Sequence, residues 1–85
     1  MGYHLKDIKT GQLGESSKIQ EELEELLDAE AQGSKVMALV ELSDLIGSIE
    51  AYLENKYPGL TLEDLKNFSN ITKRAFKDGT RKPKT

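Results

Sequence analysis

The stretch Val36-Met37-Ala38-Leu39-Val40-Glu41-Leu42-Ser43-Asp44-Leu45-Ile46-Gly47-Ser48-Ile49 decides the fold. At about 100° of rotation per residue, Leu42, Leu45, Ile46, Ile49 and Leu53 fall on one broad apolar face. Met37, Val40 and Tyr52 widen that face beyond the usual stripe, so the spacing predicts a central helix from about Lys35 to Lys56. Ser34 stands where an N-cap belongs, and Pro58-Gly59 ends the pattern. Two acids interrupt the apolar surface. Glu41 and Asp44, three residues apart, fall between Met37 on one side and Leu45 and Tyr52 on the other. Both are predicted to lie inside the packed surface.

The flanking segments read the same way. Upstream, Ser17-x-x-Gln20 has the form of a capping box, preceded by Ser16. Ile19, Leu23, Leu26 and Leu27 follow as an apolar stripe to about Ala31, and Gly33 is a natural helix terminator. Downstream, Thr61-x-x-Asp64 caps a third helix with Leu62, Leu65, Phe68, Thr72, Ala75 and Phe76 on one face, ending near Asp78-Gly79. No strand-like alternation competes with these patterns. The expected architecture is all-α: an irregular arm over 1–14, a three-helix domain over 15–79 and a basic tail over 80–85. It forms a helical bundle completed by oligomerisation.

Eighty-five residues amount to one domain at most. A chain this short buries only about 60–65% of its unfolded surface, which leaves its core marginal without a staple. Cysteine is absent, which removes disulfides, thiolate zinc sites and cysteine nucleophiles. A bound metal, self-association or both are therefore expected. Charged residues make up 32% of the chain; no apolar run approaches the ~20 residues of a membrane span. With no basic segment leading into an apolar one, a secretory leader is not expected, and the reading is cytoplasmic. The net charge is −3, against the basic balance usual in nucleic-acid binders, so no nucleic-acid partner is expected. The charge is divided unevenly: Glu15–Glu30 holds seven acids against Lys18, and Lys66–Thr85 seven bases against Asp78.

Two ionised carboxylates in an apolar helix repel each other and lose hydration, at several kcal/mol per ion. Protonation, a basic partner or a divalent cation must compensate. Glu22 and Glu25, also three apart, share the face of the first helix that borders its apolar stripe. If the Gln32–Ser34 connection folds the two helices antiparallel, the pairs Glu22/Glu25 and Glu41/Asp44 meet. Four carboxylates without soft ligands favour Mg²⁺, or Mn²⁺, over zinc.

At this point the residues resemble a known family. Glu21-Glu22-Leu23-Glu24-Glu25, followed by Glu41-Leu42-Ser43-Asp44, is similar to the E-E-x-x-E … E-x-x-D signature of the MazG-like all-α nucleotide pyrophosphohydrolases. The likeness covers roughly Gly14 to Arg81. Within it, Asn70-Ile71-Thr72-Lys73-Arg74-Ala75-Phe76, then Gly79 and Arg81, resembles the endings of small phage and bacterial members. The resemblance implies Mg²⁺-dependent hydrolysis of (deoxy)nucleoside triphosphates to the monophosphate and pyrophosphate, by a homodimer or homotetramer. It implies Glu22, Glu25, Glu41 and Asp44 as metal ligands and Glu21 as an assisting carboxylate. The residues leave Glu21, Glu22 and Glu25 equally open as general base for the attacking water.

For the phosphates, Lys66, Asn70, Lys73 and Lys77 form one polar stripe on the third helix. The resemblance favours Asn70, Lys73 and Arg81 as substrate contacts, and Lys18 is a further candidate. Tyr52, Phe68 and Phe76 read as core or subunit-interface residues, Met37 as core filling, and His4 as an ordinary surface side chain. Two other functions fit the same pattern: phosphoribosyl-ATP pyrophosphohydrolysis on the same scaffold, and a non-enzymatic helical dimerisation or adaptor module.

Overall fold

A computed structural model describes the backbone of residues 4–77 and the side chains of residues 4–73. The chain is all-α, with α1 over Ser16–Ala31, α2 over Lys35–Lys56 and α3 over Leu62–Lys77. Each boundary has a local cause. The end of α1 is a Schellman turn: Ser34 N–H donates to the Ala29 carbonyl at 3.2 Å and Gly33 N–H to that of Glu30 at 2.9 Å. This turn puts Gly33 at φ +73°, where a side chain would be strained. Ser34 Oγ then caps α2 by accepting Met37 N–H at 3.2 Å. At α3 the capping is reciprocal. Asp64 Oδ2 accepts the Thr61 N–H at 2.8 Å, and Thr61 Oγ1 accepts the Asp64 N–H at 3.3 Å.

The start of α1 differs from the sequence expectation. Glu15, not Ser17, occupies the N-cap, and no side chain caps the helix. Ser17 Oγ instead accepts the Gln12 N–H at 3.0 Å, which ties the N-terminal arm to the first turn. The arm is irregular but attached. Gly11 N–H donates to Glu21 Oε1 at 2.8 Å, and Leu5 N–H to Asp28 Oδ2 at 3.2 Å. Gly11 is required by space, since a Cβ there would fall on the backbone of Ser17 and Lys18.

Helices α1 and α2 form an antiparallel hairpin. The Asn55 side chain donates to the Gly14 carbonyl at 2.9 Å, and Lys56 pairs with Glu15 at 3.0 Å, so the end of α2 lies beside the start of α1. Ala29, near the turn, and Leu53, near the open end, are the buried apolar residues among those described. Between them the buried side chains are polar: Glu22, Glu41 and Ser48. The expected apolar face of α2 is only partly covered. Leu45 and Ile49 are half-buried, whereas Leu42 and Ile46 are exposed. On α1, Ile19 and Leu26 are half-buried, and Leu23 and Leu27 are exposed.

Helix α3 does not pack along either partner, and its Phe68 and Ile71 are exposed. Phe68 is thus not a core residue of the single chain. Tyr52 is half-buried, its ring 6.2 Å from that of Tyr57, and Met37 is half-buried. Phe76 lies outside the described side chains. No helix among the described residues is long and apolar enough to cross a membrane.

The arm's dependence on Gly11 is measurable. Gly11→Ala should lower stability by about 1–3 kcal/mol, because helix backbone cannot yield to the new methyl group. Gly47→Ala is the control: Gly47 lies exposed within α2 with open space around its Cα. It should gain about 0.5–1 kcal/mol from helix propensity. Denaturation midpoints of the two variants should move in opposite directions.

Candidate metal centre

The hairpin brings together the acids expected of it. Three overlapping groups of side chains offer ligand atoms within 4.8 Å of one another: Glu21, Glu22 and Glu25; Glu22, Glu41 and Asp44; and His4, Glu25 and Glu41. The first follows from the α1 spacing and the second from α2 facing α1 across the interface. Glu22 and Glu41 are buried, at 5% and 0% exposure. Asp44 is exposed as a residue, at the rim, with one carboxylate oxygen reaching inward to Glu22 and Glu41. The expectation that Glu41 and Asp44 are both enclosed thus holds for Glu41 alone. The α2 helix turns the Asp44 side chain toward the edge of the hairpin.

Unit charges at such separations repel by about 3–4 kcal/mol at an effective dielectric constant near 20. The protonation equilibria register this strain. Burial, then repulsion by Glu22, Glu41 and Glu21, pushes the Glu25 carboxyl above its ordinary range. Burial, the charge on Glu41 and a hydrogen bond with it do the same to Asp44. Glu21 moves the opposite way. Burial alone would raise it, but the Gly11 N–H and the Lys18 ammonium outweigh burial and hold it low. Lys18 sits 3.1 Å from both Glu21 Oε1 and Glu22 Oε1, and these acceptors keep its ammonium charged despite burial. The second oxygen of Glu22 is buried with no hydrogen-bond partner. An ionised oxygen in that position costs more than a well-satisfied one. It is the atom a cation would satisfy.

The sequence misplaced His4. Its side chain is 7% exposed, inside the carboxylate cluster. Nδ1 lies 2.8 Å from Asp28 Oδ2, and Nε2 lies 2.7 Å from Glu41 Oε2 and 3.5 Å from Glu25 Oε2. Burial disfavours the imidazolium, yet the hydrogen bonds to Asp28 and Glu41 and the neighbouring charges outweigh it, so the ring is more basic than usual. Asp28, also unassigned by sequence, is buried and accepts from Gln32 Nε2 at 2.9 Å and Leu5 N–H as well as from His4. The His4 hydrogen bond, followed by these two donors, holds its carboxyl below the usual range. Asp28 was legible in one respect. Glu22-x-x-Glu25-x-x-Asp28 extends one helix face by a further turn.

Beside the cluster, between the arm and α1, lies a polar cleft of about 240 Å³. Glu21, Glu25, His4, Lys6 and Thr10 line it. Of the candidate phosphate contacts, Lys18 stands at the cluster, paired with Glu21 and Glu22. Asn70 and Lys73 do not: both are exposed on α3, which leaves them away from the hairpin carboxylates of the same chain. Lys66 is likewise exposed there. Arg81 lies outside the described residues.

The chain matches no protein-family model, no curated protein and no solved structure.

Two carboxyl-to-amide substitutions should act with opposite signs in the metal-free protein, kept so with a chelator. Glu25→Gln removes a charge that the fold disfavours and should raise the thermal midpoint at neutral pH. Asp28→Asn replaces a carboxylate that three partners stabilise in its ionised form with a weaker, neutral acceptor and should lower it.

Proposed function

We propose that the chain is a divalent-metal-dependent pyrophosphohydrolase of nucleoside triphosphates, with Glu22, Glu25, Glu41 and Asp44 holding Mg²⁺ or Mn²⁺. The observation that carries this reading is the convergence of these acids at one helix interface around a buried, unpartnered Glu22 oxygen. An all-oxygen set of this kind suits hard cations. The order of the acids along α1 and α2 is that of the MazG-like signature, which supplies the reaction class.

A bound divalent ion would offset phosphate charge and make a water more acidic. The chain's own residues do the rest. Glu21 and Glu25 border the cleft and are placed to accept a proton from water at a carboxylate oxygen, whereas Glu22 lies behind them. Lys18, pinned by Glu21 and Glu22, sets positive charge at one end of the cluster. Lys6, exposed and lining the cleft, adds a second cation. Attack at the α-phosphorus would release pyrophosphate and leave the monophosphate.

The cleft's polar lining suits phosphates, so the base and sugar would rest on the surface beyond it. A second copy of the chain is the natural support. Leu23, Leu27, Leu39, Leu42 and Ile46 on the hairpin, and Phe68 and Ile71 on α3, are all exposed. Burying such side chains yields about 1.5–3 kcal/mol each. A neighbouring α3 would also bring Asn70 and Lys73 toward a hairpin along which its own α3 does not pack.

Incubation with a nucleotide panel and Mg²⁺ or Mn²⁺ should release pyrophosphate from at least one triphosphate. Glu25→Gln should lower kcat by about 10²-fold or more. Including phosphoribosyl-ATP in the panel separates that alternative. Metal binding by folded protein with no pyrophosphate from any substrate would overturn the enzymatic reading and leave a metal-stabilised helical module.

Sedimentation tests the assembly. The chain should run as a dimer or tetramer, and Leu42→Lys should dissociate it. A monomer at micromolar concentration would refute the interface.

A further inference from the structure

His4 is held as metal-binding imidazoles are held in metalloproteins generally. A ligating histidine uses one ring nitrogen for the ion and donates the other N–H to a carboxylate that fixes tautomer and ring plane. Here Asp28 Oδ2 stands 2.8 Å from Nδ1 and is itself fixed by Gln32 Nε2 at 2.9 Å and Leu5 N–H at 3.2 Å. The opposite nitrogen, Nε2, is aimed between Glu41 Oε2 and Glu25 Oε2. The arm carrying it is anchored downstream by Gly11 on Glu21 and Gln12 on Ser17.

We propose that His4 is a metal ligand supplied by the N-terminal arm, binding through Nε2 with Glu25 and Glu41, and that Asp28 is its positioning residue. The proposal rests on the reading of the hairpin acids as a metal centre, and goes beyond it in three respects. It makes the donor set mixed nitrogen and oxygen. It makes the arm part of the site. It also predicts a preference for Mn²⁺ over Mg²⁺, because imidazole is a better ligand for transition metals than for Mg²⁺.

Two features favour a ligand over a counter-ion. The His4, Glu25 and Glu41 atoms lie within 4.8 Å of one another, a spacing one ion can span after small side-chain movements. Glu41 is also shared with the adjoining Glu22 and Asp44 group, where the buried Glu22 oxygen lacks a partner.

The test uses the full chain with Mn²⁺ alone, without nucleotide, so that it is independent of hydrolysis. Pulsed electron paramagnetic resonance of the bound Mn²⁺ should show imidazole-nitrogen coupling, lost in His4→Gln. Titration should show Mn²⁺ affinity falling about 10–100-fold in Asp28→Asn, with a smaller change for Mg²⁺. Binding that is abolished by Glu41→Gln but carries no nitrogen coupling in the unaltered chain would overturn the His4 assignment while sparing the carboxylate centre. Absence of Mn²⁺ binding would overturn both. The spectrum of the unaltered chain decides the question even where a variant fails to fold.

Discussion

The structure turns on a conflict between hydrophobic packing and charge. Two helices meet along an interface whose ends are apolar, at Ala29 and Leu53, and whose middle is filled by Glu22, Glu41 and Ser48. Carboxylates in that position weaken the hairpin unless positive charge is supplied. Within the chain, Lys18 supplies some from the first turn of α1, and His4, more basic than usual, meets Glu41 from the arm. The arm's irregular path then has a physical reason. It is drawn along α1 by Glu21 and Asp28, which accept backbone N–H groups of Gly11 and Leu5. Apolar contact adds less: of the described arm residues Ile8 is half-buried, whereas Leu5 and Leu13 remain exposed.

Helix ends were legible in the sequence where the capping is local. Ser34, the Thr61–Asp64 pair and Gly33 each act within four residues, and each does what its type and position imply. Ser17 misled because its hydroxyl had a competing donor, the Gln12 N–H, that only the folded arm brings near. Periodicity showed that α2 is greasy over much of its circumference, but not what covers it. Leu42 and Ile46 satisfy the pattern and are still exposed. An apolar stripe marks a surface suited to burial; what covers it is outside its content.

The acids were legible for a related reason. Spacings of three on a helix place side chains on one face whatever surrounds them, so Glu22 and Glu25, then Glu41 and Asp44, needed only an antiparallel turn to converge. His4 had no such spacing. Its partners lie 24 and 37 residues away, and no periodic signal links them. Composition held only a slight clue: His4 is the one imidazole in a chain with 15 acids.

Charge balance also limits how a triphosphate could use this hairpin. The cluster is already rich in carboxylates, and a polyphosphate adds several more negative charges at the same cleft. Lys6 and Lys18 alone do not offset that sum at short range. In the proposed reaction cations held by Glu22, Glu25, Glu41 and Asp44 would offset the phosphate charge, which would otherwise meet like charge at the cleft. The basic stripe on α3 belongs to the same balance. Lys66, Asn70 and Lys73 face solvent in the single chain, where they contribute little to the hairpin. A long acidic segment at one end of the chain and a basic one at the other attract each other between copies as well as within one. An assembly that sets α3 of one subunit over the hairpin of another would cover apolar and neutralise acidic surface in a single contact.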